Sequence, residues 1–114
     1  MRPRSVICER WEVVIVPFPF TDRPAAKRRP ALTLSQHEFN AHGHSVLAMI
    51  TTRVDPPWPG DTPLTDPAAA GLPAASTVRL KVFTLDNRLI VKVAGTLSAA
   101  DRERVAAQLD RYLG

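Results

Sequence analysis

The stretch WEVVIVPFPFTDRPAAKRRPALTLS (residues 11–35) decides how the rest of the chain is read. It holds two apolar segments joined by a loop that ends in Lys27-Arg28-Arg29-Pro30. Val13, Val14, Ile15 and Val16 are β-branched and suit a pleated surface, so residues 11–16 read as a strand. Pro17 and Pro19 remove backbone donors and are expected to close it. A second strand is expected over residues 31–35, directly after Pro30. Three cations then stand where a loop becomes a strand. A side chain at such a junction is held in place while the loop beside it can admit a ligand.

Outward from this stretch, the chain of 114 residues fits one domain, residues 1–114. Its 45% hydrophobic content is that of a globular protein. The net charge of +4 and pI near 10.0 favour a polyanion or an acidic protein as partner. Cys8 is the only cysteine, so an intramolecular disulfide and an all-cysteine metal site are excluded. It reads as a small buried residue, since Glu9 beside it would disfavour a thiolate. No apolar run approaches the roughly 20 residues that span a bilayer, and the first residues lack a signal-peptide core; a cytoplasmic location is expected.

Further along, residues 36–44 (QHEFNAHGH) read as a connection with turn chemistry at Asn40 and Gly43. His37, His42 and His44 have no carboxylate or cysteine framework around them, so no metal is expected. Residues 45–52 (SVLAMITT) form a central strand ending in Thr51-Thr52-Arg53. The proline-rich residues 55–66 are extended loop, with a short strand near residues 62–64. Trp58 within them is a lid over the core, or alternatively an exposed stacking group. A turn ends at Gly71. Residues 76–80 and 88–93 are strands, separated by a turn at Asp86-Asn87. Ser98 with Asp101 three residues on marks the start of a C-terminal helix, and Val105, Leu109 and Leu113 give it one apolar stripe. Short strands followed by one helix predict a mainly β protein, a small, strongly bent antiparallel β-barrel with a C-terminal α-helix.

No glycine-rich phosphate loop, carboxylate dyad or Ser-His-Asp pattern stands out. What the chain offers instead is cations and hydroxyls at strand ends: Arg29 after Lys27 and Arg28, Thr51 and Thr52 before Arg53, and Arg79 within a strand. On one rim of a small barrel these groups can face a single phosphate. A guanidinium grips two phosphate oxygens at once, and hydroxyl donors add to a site that stabilises a phosphorane. Asp22 either accepts a hydrogen bond from a base edge or ribose hydroxyl, or begins a turn. Phe18 and Phe20 either cap the core or offer a stacking surface.

The run VVIVPFPFTD (residues 13–22), followed by KRRPAL (residues 27–32) and Ile50-Thr51-Thr52, resembles the PemK/MazF family of toxin endoribonucleases. The likeness covers nearly the whole chain from residue 11. It implies an SH3-like barrel, a homodimer, and cleavage of single-stranded RNA without a metal or other cofactor, through 2′-OH attack on the adjacent phosphate. It also implies a cognate antitoxin with an acidic tail. By position it assigns the catalytic pair to Arg29 and Thr51, leaving Asp22, Lys27, Arg28, Thr52, Arg53 and Arg79 as RNA contacts. Two departures stand out: Trp11-Glu12 replaces the family's Gly-Asp, and Met49 replaces a proline before Ile-Thr. The alternatives are a gyrase-poison type of toxin on the same fold, acting through its C-terminal residues on a protein, and an RNA-binding module without activity.

Overall fold

The computed structural model describes residues 6–18 and 27–114. Six strands, β1 (Glu12–Phe18), β2 (Lys27–Thr33), β3 (His44–Thr51), β4 (Thr62–Pro63), β5 (Thr77–Asp86) and β6 (Lys92–Thr96), form one antiparallel sheet in the order β4-β5-β3-β2-β1-β6. The sheet curls into a half-barrel, the expected bent β architecture. A short helix α1 (His37–Asn40) joins β2 to β3, and α2 (Ala99–Tyr112) ends the chain.

The unbroken apolar run of β1 follows from the sheet's two covered faces. Val13 packs with Leu32, Ala48, Val78, Leu97 and Val105 on the face that receives α2. Val14 and Val16 pack with Cys8, Ala31, Leu47 and Leu85 on the other. Cys8 is fully buried, and burial together with the Glu12 carboxylate pushes its thiol up to about 11. It is therefore a packing residue and not a nucleophile.

Several boundaries differ from the sequence reading, each for a tertiary reason. β1 runs through Pro17 to Phe18, pairing Pro17 with Arg28, while its other neighbour β6 reaches only Ile15. The missing proline donor thus falls where β1 lacks a second partner. β2 starts at Lys27, so all three cations lie inside a strand and not in a loop. Residues 81–86 continue β5 without a turn, a 3₁₀ segment occupies Asn87–Leu89, and the last strand begins only at Lys92. Asn40 and Asn87, read as turn residues, are buried. Ser45 Oγ donates to Asn87 Oδ1 (2.6 Å), and Asn87 Nδ2 donates to the Asn40 carbonyl (2.6 Å). This chain of bonds satisfies polar groups behind the second apolar cluster.

Four described positions take a positive φ, Trp11, Gly43, Gly60 and Gly71, and Gly71 and Trp11 do so for different reasons. Gly71 closes its turn at φ 73°, and a Cβ there would collide with the Ala94 carbonyl oxygen. Trp11, where the related pattern has glycine, is held at φ 76°, a conformation unfavourable for a bulky residue. Its amide donates to Thr33 O (2.8 Å), its carbonyl accepts from Leu97 N (3.1 Å), and its ring packs against the main core. The contacts that fix both sides of the residue hold the strained angle.

The helix start matches its sequence signal. Ser98 Oγ accepts from Asp101 N (3.2 Å), and Val105 is fully buried, but Leu113 is 62% exposed and lies beyond the buried stripe. Arg102, Glu103 and Arg104 are exposed, whereas Asp101 is fully buried. Its carboxylate accepts from Thr65 N (3.0 Å), Thr65 Oγ1 (2.8 Å) and Asp66 N (3.1 Å), clamping residues 65–66 onto the helix N-terminus. Burial acts to raise its pKa, yet these bonds and Arg104 outweigh it and hold the carboxyl below its usual value.

Candidate phosphate-binding site

The pairing of β2 with β3 places the two principal site residues. Ala31 pairs with Met49, and the same register carried two residues toward the open end sets Arg29 beside Thr51. Strand alternation puts Lys27, Arg29 and Ala31 on one face and Arg28 on the other. Met49 and Thr51 share the face of Arg29, because paired residues point the same way. Beyond Thr51 the chain leaves the sheet, and Thr52 and Arg53 begin the β3–β4 loop.

These residues enclose a pocket of about 150 Å³ lined by Arg29, Pro30, Ile50, Thr51, Thr52, Arg53 and Ser76. That volume is well below the roughly 300 Å³ at which pockets for drug-sized ligands begin, and suits a single phosphoryl group. Two guanidinium-bearing residues, both exposed, flank it. The Arg53 amide donates to Thr51 Oγ1 at 3.0 Å. One lone pair of that oxygen is thereby occupied, leaving the hydroxyl proton available to donate. The Arg29 guanidinium carbon lies 5.6 Å from the centroid of the Phe18 ring, which is 39% exposed. Phe18 therefore flanks the site and does not cap the core, and the cation–π contact steadies the arginine.

The other predicted positions divide clearly. Thr52 and Arg53 line the same pocket, whereas Lys27 lies further along β2 on the face of Arg29 and Arg28 on the opposite face. Asp22 and Phe20 lie outside the described residues. Arg79 is not brought to the pocket, although it sits on the same face of the sheet, paired with Met49. Its residue exposure is only 9%. Nε and a terminal nitrogen grip Asp61 at 3.0 and 2.8 Å, and that terminal nitrogen also reaches the Pro56 carbonyl at 3.1 Å. Arg79, expected as an RNA contact, is held in a nearly buried ion pair with Asp61. Ser76 was not singled out by the sequence. It reaches the pocket because Thr77 beside it pairs with Thr51, and its hydroxyl donates to Ala74 O (2.9 Å).

Among the described residues no group of three histidine, cysteine, aspartate or glutamate side chains could hold a metal ion. No helix among them is long and apolar enough to cross a membrane. At the far end of the sheet Asp86 is held down to about 2 by hydrogen bonds from the Arg88 side chain and amide, a surface pair remote from Thr51 along β5.

Known structures share this arrangement of strands and helix. The chain is similar to MazF from Deinococcus radiodurans (23% identity, TM-score 0.71), with 96% of this chain and 99% of that one covered. The MazF of the MazE–MazF complex from the same organism gives 22% identity and a TM-score of 0.74 over 96% and 98% of the two chains. An endoribonuclease from a mycobacterial species, solved with its cognate antitoxin, gives 19% and 0.71 over 95% and 94%. Curated proteins gave no match. At these identities the structural likeness speaks for the fold. The sequence pattern of PemK-like, MazF-like toxins of type II toxin–antitoxin systems, however, matches residues 9–113, and the chain belongs to that family.

Proposed function

We propose that this toxin is a sequence-selective endoribonuclease that cuts single-stranded RNA at the Arg29–Thr51 pocket without a metal ion. The observation that carries the reading is the convergence of a guanidinium from β2 and a hydroxyl from β3 on one phosphate-sized pocket. In the reaction the ribose 2′-oxygen forms a bond to the adjacent phosphorus, and the bond from phosphorus to the 5′-oxygen breaks. The 2′-OH loses a proton and the departing 5′-oxygen gains one. Negative charge accumulates on the non-bridging oxygens of the phosphorane between these events. Arg29, charged at any neutral pH, is suited to holding that charge and not to abstracting a proton. Thr51, its oxygen already accepting from the Arg53 amide, donates its own hydrogen to the same oxygens. Arg53 and Lys27 extend the positive edge along which an RNA backbone would lie.

The same basic edge fits an acidic antitoxin segment, which would neutralise the toxin by covering the pocket. Support comes from relatives solved as MazE–MazF and as an endoribonuclease with its cognate antitoxin. A homodimer is part of this reading. The decisive experiment incubates the protein with a pool of RNAs containing all short sequence contexts, in EDTA, and sequences the new ends. Recurrent ends at one motif are expected. An intact pool would remove the nuclease reading, and toxicity that survives Arg29→Ala but is lost on deleting residues 111–114 would favour a protein-directed poison.

A further inference from the structure

The β3–β4 loop carries an exposed aromatic ring that is fixed in place. Trp58 is 41% exposed, so it is not the core lid expected from its setting among prolines. Its backbone amide donates to Asp61 Oδ2 (3.0 Å), and its indole Nε1–H donates to the Leu80 carbonyl (3.3 Å). Asp61 is itself locked by Arg79, and Gly60, at φ 82°, leaves no room for a Cβ against the Leu80 side chain. The Lys81 ammonium stands 4.6 Å from the ring centroid. Leu80 and Lys81 sit at the register shift of β5 between its pairings Met49↔Arg79 and Ala48↔Val82, an irregularity that re-aims side chains locally. A buried ion pair, two hydrogen bonds and a bulge therefore hold a half-exposed indole and a cation side by side.

We infer that Trp58 and Lys81 form a second nucleotide-binding position, on which a base flanking the cut site stacks while Lys81 meets its phosphate. Arg79 and Asp61 are the positioning residues that hold it. The inference rests on RNA being the ligand of the Arg29–Thr51 pocket and specifies how that substrate is gripped beyond the scissile phosphate. Placement favours it. Thr77 pairs with Thr51, and Lys81 lies four residues further along β5, roughly 13 Å at the usual strand rise, a span of a few nucleotides. Arg53, which lines the pocket, and Trp58 belong to the same β3–β4 loop. Rigidity favours it too, since an aromatic already ordered loses little conformational freedom when a base stacks on it. A phosphate arriving with that base would draw the exposed Lys81 ammonium off the ring. Stacking on an indole tolerates any base, so this position adds affinity and reach while selectivity lies elsewhere.

The test measures binding separately from cleavage. A labelled 12-nucleotide RNA with 2′-O-methyl sugars cannot be cut by 2′-OH attack, and its anisotropy reports the dissociation constant. Trp58→Ala is expected to weaken binding roughly tenfold, the scale of one stacked base. Trp58→Phe should retain most of the affinity, and Lys81→Ala should lose a few-fold and flatten the salt dependence. With cleavable RNA, Trp58→Ala should raise KM on the 12-mer, leave kcat unchanged, and have no effect on a 4-mer centred on the cut. Asp61→Asn should reproduce this KM effect with the melting temperature recorded alongside. Wild-type binding that depends on Trp58 without any cleavage would keep this position and remove the nuclease reading. Cleavage with no change of KM or affinity in Trp58→Ala would overturn the position alone, as would equal losses on the 4-mer and the 12-mer. Tighter binding in Asp61→Asn would instead make Arg79 itself an RNA contact.

Discussion

Arg29 and Arg79 lie on the same face of one sheet and differ in nearly everything else. Arg29 is exposed near the open end of β2, with an aromatic ring as its neighbour among the described residues. Arg79, on β5, is almost buried, its Nε and one terminal nitrogen engaged by Asp61 and the Pro56 carbonyl. The chemistry of the side chain is identical. What separates the exposed arginine from the structural one among the described residues is whether a loop folds back over it carrying a carboxylate. Among the described residues the β3–β4 loop brings Asp61 to Arg79, whereas to the Arg29 pocket it brings Thr52 and Arg53.

The largest effect should come from the exposed member. Arg29→Ala is expected to lower kcat by two to three orders of magnitude, the usual cost of one preorganised charge donor. Its melting temperature should stay within a degree or two, since the side chain packs little. A large fall in melting temperature would show that Arg29 is structural and erase the contrast. Loss of a buried charge network should come next. Asp101→Ala leaves Thr65 N and Asp66 N without their acceptor and is expected to cost about 3 kcal/mol in denaturant unfolding. The carboxyl is already ionised at neutral pH. Because its pKa is lowered on folding, its stabilisation is complete above the unfolded value of 3.8 and is lost as pH falls below it.

Arg79→Ala should cost about 2 kcal/mol, because it strands Asp61 in a poorly solvated place, whereas the same change at Arg29 costs almost nothing. Asp61 is held below its usual pKa chiefly by the hydrogen bond from Arg79. Acid should therefore weaken the wild type more than the Asp61→Asn variant as pH falls below the unfolded value of 3.8, where the unfolded chain takes up a proton that the folded carboxylate still resists. Parallel stability curves for the two proteins between pH 6 and pH 3 would contradict the ion pair. The smallest test concerns Trp11. Trp11→Ala and Trp11→Gly lose the same ring packing, but only glycine is at ease at φ 76°. Trp11→Gly should be the more stable of the two by about 1 kcal/mol, the reverse of the usual order.

Much of the fold was legible because local chemistry dictated it. The β-branched run of β1 makes a strand in any setting that covers it. Gly71 supplied the positive φ of its turn, and Ser98 with Asp101 set the start of α2. The strand limits were less legible. Pro17 is tolerated because β6 ends before it, and β5 runs ten residues up to the turn at Asp86-Asn87, longer than the strand expected over 76–80. Trp58 could not be placed by its neighbours, since its indole seeks a carbonyl 22 residues away. Ser76 gave no signal at all, as a serine next to a strand says nothing about which pocket that strand will border.

The sequence by itself settled the kind of protein and pointed to the residue pair around which we propose its site is built. Arg29-Pro30-Ala31 and Ile50-Thr51 are short, specific patterns, and their chemistry is carried by the side chains themselves. Only the tertiary structure decided availability. Arg29 and Thr51 come to one pocket just beyond the last paired residues of β2 and β3, Ala31 and Met49, and Arg79 is taken up because Asp61, 18 residues away, is folded onto it. Charge and hydrogen-bonding capacity are properties of a residue, but whether they remain free for a ligand depends on which distant segment reaches them first.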